Sequence, residues 1–179
     1  MKNKLLIIAT AVFGFIACEG FGTVEIDAIL SKVLNVKVKN ESEITAANLK
    51  STAESGYFFY EADTINLADN KDIKEHLDKI NELEVYKVTC NLSGLTKGQV
   101  INELTIFSTT TGLSLTLYNI TEFNIAIEVE ASAAELKAIS DYLLQYEELV
   151  VGVSGYASDA PLDFIVELSY ETKAKAGLF

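Results

Sequence analysis

Two long stretches of alternating apolar and polar residues, one near each end of the chain, constrain the fold most strongly. In residues 24–38 the even positions are Val, Ile, Ala, Leu, Lys, Leu, Val and Val, and in residues 162–176 they are Leu, Phe, Val, Leu, Tyr, Thr, Ala and Ala. A period of two separates the two faces of a β-strand, so both stretches predict half-buried strands. The first would span roughly 50 Å at about 3.3 Å per residue. We therefore expect a bend or bulge near Lys32, which interrupts its apolar face.

Six shorter alternating stretches predict further strands and bring the total to eight. They are residues 57–67, 84–92, 100–108, 113–118, 123–131 and 149–156. Two other segments have helical spacing. Ser132-Ala133-Ala134-Glu135 has the form of a capping box, and apolar residues follow it at intervals of three and four. Residues 43–53 fit a short helix and a loop equally well.

The second helix is predicted to begin after Asn70, a typical N-cap residue. Its apolar stripe would consist of Ile73, Leu77, Ile80 and Leu83.

The order strand, strand, helix, strand, strand occurs twice, with a shift of about 62 residues that carries Asn70 onto Ser132. The predicted fold is mainly β: an eight-stranded antiparallel β-sandwich or flattened barrel with two helices. A tandem ββαββ duplication accounts for this order, and so does a single irregular sandwich with two crossover helices.

The N-terminus has the features of an export signal. Lys2 and Lys4 precede an apolar run over residues 5–17, which has the length of a signal-peptide core and is short for a membrane span. The run ends in Ile16-Ala17-Cys18, which resembles the lipobox of bacterial lipoproteins. An ordinary cleaved signal peptide with a coincidental Cys, or an uncleaved membrane helix, are the alternatives.

The lipobox resemblance implies a signal peptide at 1–17, acylation of Cys18, a lipidated tether at 18–22 and a single β-rich domain at 23–179. The mature part resembles the small acidic β-rich envelope lipoproteins, many of them unassigned, of Bacteroidetes-type bacteria. The resemblance also implies an anchor in the cell envelope. Glu19 stands where enteric bacteria place Asp to retain lipoproteins in the inner membrane, so the outer membrane or cell surface is favoured.

Composition excludes several classes of function. The net charge is -12 and all 14 basic residues are Lys, so the chain lacks the positive field and Arg forks of nucleic-acid binding. One His and two Cys leave little material for a metal or cofactor site, and we predict none. With Cys18 acylated, Cys90 has no disulfide partner and is predicted to be a buried apolar thiol. His76 is predicted to be a partly buried helix residue.

No catalytic motif was found, and we predict a protein that is not an enzyme. Carboxylate pairs occur at Asp69/Asp72, Glu82/Glu84 and Glu147/Glu148, but each lies at a predicted helix end or turn. The segment Tyr57-Phe58-Phe59-Tyr60 must place two rings on each strand face. We expect a neighbouring helix to bury these rings; an exposed contact patch is the alternative.

These observations favour an envelope lipoprotein whose β-domain binds a protein or glycan partner. A carrier that holds an apolar ligand inside the β-domain is the alternative. A hydrolase would need two carboxylates that converge in a cleft. Asp63-Thr64-Ile65 also resembles a short O-glycosylation motif of Bacteroidetes envelope proteins.

Replacement of Cys18 by Ser should abolish acylation, because the thiol is the group that receives the lipid. Intact-mass analysis of the full-length protein from a bacterial membrane fraction should give the mass of residues 18–179 plus acyl groups. The Cys18→Ser protein should lack that mass. An unmodified chain cut at another position would contradict the lipoprotein prediction.

Overall fold

The structure is a computed structural model that describes residues 22–39, 56–121 and 124–177, with the side chains of 124 and 125 left out. Its strands are β1 (Thr23–Val38), β2 (Tyr57–Asn66), β3 (Ile80–Ser93), β4 (Ile101–Ser108), β5 (Ser114–Ile120), β6 (Asn124–Glu128), β7 (Glu148–Ala157) and β8 (Leu162–Gly177). Its α-helices are α1 (Lys71–Lys74) and α2 (Ala133–Tyr146), with 3-10 turns at Leu67–Asp69 and Leu77–Lys79. The predicted signal segment, Cys18 and residues 43–53 lie outside the described residues.

The eight strands form two antiparallel four-stranded sheets, which confirms the predicted β-sandwich. Sheet A has the order β1-β8-β3-β6 and sheet B the order β2-β7-β4-β5. Only β4 and β5 are consecutive strands of one sheet; every other described connection passes from one sheet to the other. This is the topology of a jelly roll rather than a closed barrel.

The topology also has the internal symmetry that a ββαββ repeat requires. If each strand number in sheet A is raised by four, and numbers above eight start again from one, the order β1-β8-β3-β6 becomes β5-β4-β7-β2. This is the order of sheet B read from its other edge. A duplication predicts this relation, and a jelly roll with a single origin has it as well. None of the helices in the described ranges is both long and apolar enough to cross a membrane.

The expected bulge near Lys32 is wrong. β1 pairs with β8 without a register shift, from Thr23 opposite Gly177 to Val38 opposite Leu162. Lys32 keeps its inward direction because β1 is an edge strand, so its ammonium reaches the gap between the sheet edges. There its Nζ lies 2.8 Å from Oδ2 of Asp63 on β2 and donates to the Thr64 carbonyl at 2.9 Å.

This ion pair closes one side of the sandwich. β1 and β2 are edges of different sheets, and Lys32 and Asp63 both point inward from them. Inward charges on edge strands oppose pairing with other chains. The Lys32 ammonium is the main cause of the lowered pKa of Asp63.

The core lies between the two sheets and is formed by their alternating inner positions. Tyr170, Leu34, Leu104 and Leu168 are among its largest fully buried side chains. Cys90 belongs to this core, and burial raises the pKa of its thiol to about 12. The prediction of a buried apolar thiol is therefore confirmed.

Helix α2 follows the sequence prediction closely. Ser132 accepts a hydrogen bond from the Glu135 N–H, and the Glu135 carboxylate accepts one from the Ser132 N–H, which completes the capping box. Ile139 and Leu143 are buried as the stripe requires. The opposite end is closed by Glu147 in the left-handed region, with φ 61°.

The helix predicted after Asn70 is much shorter than expected. Asn70 does cap it, because its Oδ1 accepts from the N–H groups of Asp72 and Ile73, but α1 ends at Lys74. Ile80 and Leu83 belong instead to β3. Pairing of β3 with β8 begins at Ile80 and overrides the helical spacing. His76 is half-buried between α1 and the next 3-10 turn.

Helix α2 replaces a missing strand at one edge of sheet A. β6 pairs with residues Thr89–Ser93 of β3, and Val129 just after it donates to the Val88 carbonyl, so no described strand covers the Ile80–Lys87 part of that edge. Ser140 of α2 accepts a hydrogen bond from the Val85 N–H at 2.8 Å. Its hydroxyl donates in turn to the Leu136 carbonyl at 2.8 Å.

Replacement of Ser140 by Ala should lower the free energy of unfolding by about 1–3 kcal/mol, because it leaves the buried Val85 N–H without an acceptor. Urea denaturation would measure the change. Lys137→Ala, on the exposed side of the same helix, should change stability by less than about 1 kcal/mol. Equal effects of the two substitutions would contradict a strand-replacing role for Ser140.

Candidate ligand-binding surfaces

The outer face of sheet B carries a cluster of aromatic rings, called here the aromatic face. Strand alternation and register place on it Phe58 and Tyr60 of β2, Phe107 of β4, Tyr118 of β5 and Tyr156 of β7. Tyr60 is 56% exposed and Tyr118 is 66% exposed. Exposed aromatic clusters are candidates for interaction surfaces.

The rings form two contacting pairs. Tyr60 stacks on Phe107 with a centroid distance of 5.5 Å and an interplanar angle of 25°. Phe58 meets Tyr156 edge to face, also at 5.5 Å. The rings therefore support one another, and the planes of Tyr60 and Phe107 are within 25° of parallel.

Gly152 on β7 makes the Tyr60–Phe107 pair possible. A Cβ at Gly152 would lie 2.5 Å from Cζ of Phe107 and 2.8 Å from the Glu61 carbonyl oxygen. The Phe107 ring therefore occupies the space that any larger residue would fill. A glycine in a central strand here marks close approach of a ring to the backbone.

Small polar side chains lie between the rings. Ser154 faces Tyr60 on one side and Thr105 on the other, and Thr105 is opposite Thr116. The hydroxyls of Thr105 and Thr116 are hydrogen bonded at 2.9 Å. The aromatic face thus combines apolar ring surfaces with neutral hydroxyl groups.

Sequence reasoning located only part of this face. The expected burial of the four-aromatic segment by a helix is wrong, because Tyr60 is exposed and the contacts of Phe58 and Tyr60 are with rings on β7 and β4. Phe59 is buried, but against Phe164 of the facing sheet. Phe107 and Tyr156 were missed. Their outward positions within alternating strands are the signal that could have indicated them.

A second surface lies on sheet A, beside helix α2, and is called here the helix trough. It has a volume of about 850 Å³. Its floor is formed by β3, β8 and Glu25 of β1, and its wall by the side of α2 that carries Leu136, Ser140 and Leu144. Residues 81–86 of β3 line it consecutively, so the trough reaches the uncovered strand edge as well as the sheet face.

A bulge places Tyr86 in the trough. The register of β3 against β8 shifts between Val85 and Lys87, so Tyr86 has no partner on β8 and turns outward, 43% exposed. The simple alternation of the sequence predicts Tyr86 on the Cys90 face, which is wrong for this reason. Lys173 Nζ lies 5.6 Å from the Tyr86 ring centroid.

Carboxylates surround the lysines of the trough. Lys175 Nζ lies 2.7 Å from Oε2 of Glu82. The pKa of Lys175 is raised, chiefly by Glu82 and also by the charges of Glu25 and Glu84. On α2, Lys137 is bound to Asp141 at 2.6 Å. Once these pairs are counted, Glu25, Glu84 and Lys173 remain, which leaves the trough with an excess of one acidic charge.

A smaller cavity of about 260 Å³ lies where the edges of the two sheets meet, and Lys32, Thr64 and Asn70 line it. The Nδ2 of Asn70 donates to the Ile29 carbonyl at 2.9 Å and so occupies part of the β1 edge. Thr64 is half-buried on the outer side of β2.

The predicted carboxylate pairs have different fates. Glu82 and Glu84 line the helix trough, where Glu82 is held by Lys175. Asp69 and Asp72 flank the start of α1, and Glu147 and Glu148 lie exposed between α2 and β7. Within the described ranges, no three His, Cys, Asp or Glu residues are grouped so as to hold a metal ion.

Comparison with known proteins gives no family. No family model matches the chain, and no curated protein matches it by sequence. Among solved structures, the decameric BFDV capsid protein has a TM-score of 0.43 and 6% identity over 84% of this chain and 99% of that one. The 60-mer of the BFDV capsid protein has a TM-score of 0.42 and 7% identity over 87% of this chain and 95% of that one. A Desmodium yellow mottle tymovirus structure has a TM-score of 0.38 and 10% identity over 99% of this chain and 97% of that one. Similarity at this level carries no argument about function.

Replacement of Gly152 by Ala should displace the Phe107 ring and lower the free energy of unfolding by about 1–3 kcal/mol, because the added methyl overlaps the ring and the neighbouring strand. Urea denaturation would give the energy, and the Phe107 resonances would report the displacement. Ser154→Ala, two residues along on the same face, should leave the free energy of unfolding and the Phe107 resonances almost unchanged. A neutral Gly152→Ala variant would show that the ring does not depend on this glycine.

Proposed function

We propose that this protein is a non-enzymatic lipoprotein of the cell envelope that binds a neutral glycan chain through the aromatic face. The observation that carries the proposal is the near-parallel Tyr60–Phe107 pair, in which Tyr60 is 56% exposed and Phe107 half-buried, on a sheet face that also carries hydroxyl groups. The lipobox-like Ile16-Ala17-Cys18 supports the anchor at Cys18.

The chemistry of the aromatic face suits a sugar ring. The face of an aromatic ring is electron-rich and attracts C–H groups that carry partial positive charge, which pyranose rings present on their flat sides. Ser154 and Thr105 lie beside the ring pair and can exchange hydrogen bonds with sugar hydroxyls. Both kinds of contact are needed, since stacking alone does not orient a sugar.

The shape and charge of the face favour a neutral polymer. Phe58, Tyr60, Phe107 and Tyr118 are spread over three strands of sheet B, so they can contact several sugar units. The chain carries a net charge of -12, and Glu103 lies between Tyr156 and Tyr118 in the register. An acidic glycan would therefore be repelled.

Titration with cellohexaose and chitohexaose would test this function, since both are neutral chains of β-linked pyranoses. We expect binding that Tyr60→Ala and Phe107→Ala each weaken by about tenfold or more, as is usual for central aromatic anchors. Tyr146→Ala is the matched control, because Tyr146 is a tyrosine of similar exposure (52%) on α2. It should leave the affinity unchanged.

Two results would overturn the glycan assignment. One is the absence of binding of either sugar at millimolar concentration. The other is binding that Tyr60→Ala and Tyr146→Ala weaken equally. The acyl anchor is tested separately by the mass of the Cys18→Ser protein. Failure of the glycan assignment would therefore not contradict the anchor, and failure of the anchor would not contradict glycan binding.

A further inference from the structure

The helix trough contains an edge of β3 that no described strand pairs with and that α2 covers only in part, which makes it a different kind of surface from the aromatic face. In antiparallel strands, the backbone N–H and C=O groups of alternate residues point to the same side. The Val85 N–H points to Ser140 of α2. The N–H and C=O of Leu83 therefore also point to this side, where no described strand pairs with β3.

The side chains next to Leu83 define what an added strand would carry. Glu82 and Glu84 flank Leu83 and project from the outer face of sheet A, opposite Lys175 and Lys173. Outward side chains of a strand paired at Leu83 would lie beside these two carboxylates. Glu25, across β8, adds a third carboxylate to the same floor.

The opposite wall carries apolar side chains beside the polar Lys137, Ser140 and Asp141. Leu136 is half-buried and Leu144 is 36% exposed, and both line the trough from α2. Inward side chains of the added strand would contact these leucines. The trough therefore matches an extended segment in which basic and apolar side chains alternate.

We propose that the helix trough binds an extended, lysine-bearing segment of a partner protein, which adds a short strand to sheet A at Leu83. Main-chain hydrogen bonds at an uncovered edge provide affinity, and alternate side-chain contacts provide selectivity. Charge complementarity identifies the basic segment, because the acids of the trough exceed its lysines. This site is separate from the aromatic face and does not depend on glycan binding.

The probe is a capped decapeptide of alternating Lys and Val, titrated into the ¹⁵N-labelled full-length Cys18→Ser protein in detergent micelles. We expect amide shifts at Glu82–Val85 and at Ser140, and an affinity that falls as salt is raised. Glu84→Gln should weaken binding by about two- to fivefold, the range of an exposed charge pair. Glu75→Gln, which removes the same charge at the exposed end of α1, should have no effect.

Three results would overturn the proposal. The first is equal binding of a decapeptide of alternating Glu and Val. The second is a set of shifts that map outside the trough, for example to Tyr60 and Phe107. The third is equal weakening by Glu84→Gln and Glu75→Gln. Shifts in the trough with chitohexaose but not with the basic peptide would assign the trough to a glycan instead.

Discussion

The pairing of the first and last strands is the constraint on which the rest of the structure depends. β1 and β8 run side by side over 16 residue pairs without a register shift, and β8 then pairs with β3 along its other edge. Both candidate surfaces follow from this arrangement. The floor of the helix trough consists of β1, β8 and β3, and the outer rings of sheet B are held in place by a core that β8 supplies with Phe164, Leu168 and Tyr170.

The edge strands of such a sandwich have unpaired backbone N–H and C=O groups. Two of these edges are covered in different ways. At the β1–β2 side, Lys32 and Asp63 point inward and pair across the gap, while Asn70 occupies the Ile29 carbonyl. At the β3 side, a helix covers what β6 leaves open, and Ser140 supplies one acceptor. The cover of the β3 edge by α2 is incomplete, since one residue of α2 replaces a ladder of several hydrogen bonds. The trough exists because of that incomplete cover.

Local patterns predicted the strands and the capped helix but not the surfaces. All eight strands follow from alternation, and the Ser132 capping box specifies the start of α2. Lys32 and Tyr86 show what alternation alone does not predict. A lysine within an apolar face does not reveal that its strand is an edge, and alternation does not reveal a bulge, which arises from pairing with β8. Phe107 and Tyr60 are 47 residues apart, so only the fold brings them together.

The strand directions also give the domain two distinct ends. Thr23 lies opposite Gly177 at one end of sheet A, near Glu25 and Lys175 of the trough, whereas Val38 lies opposite Leu162 at the other end. Phe58 and Tyr156 lie close to the start of β2 and the end of β7, at the Val38 end. A chain held from the residues before Thr23 would therefore keep its trough close to the point of attachment. Phe58 and Tyr156 would lie farther from that point, toward the opposite end of the domain.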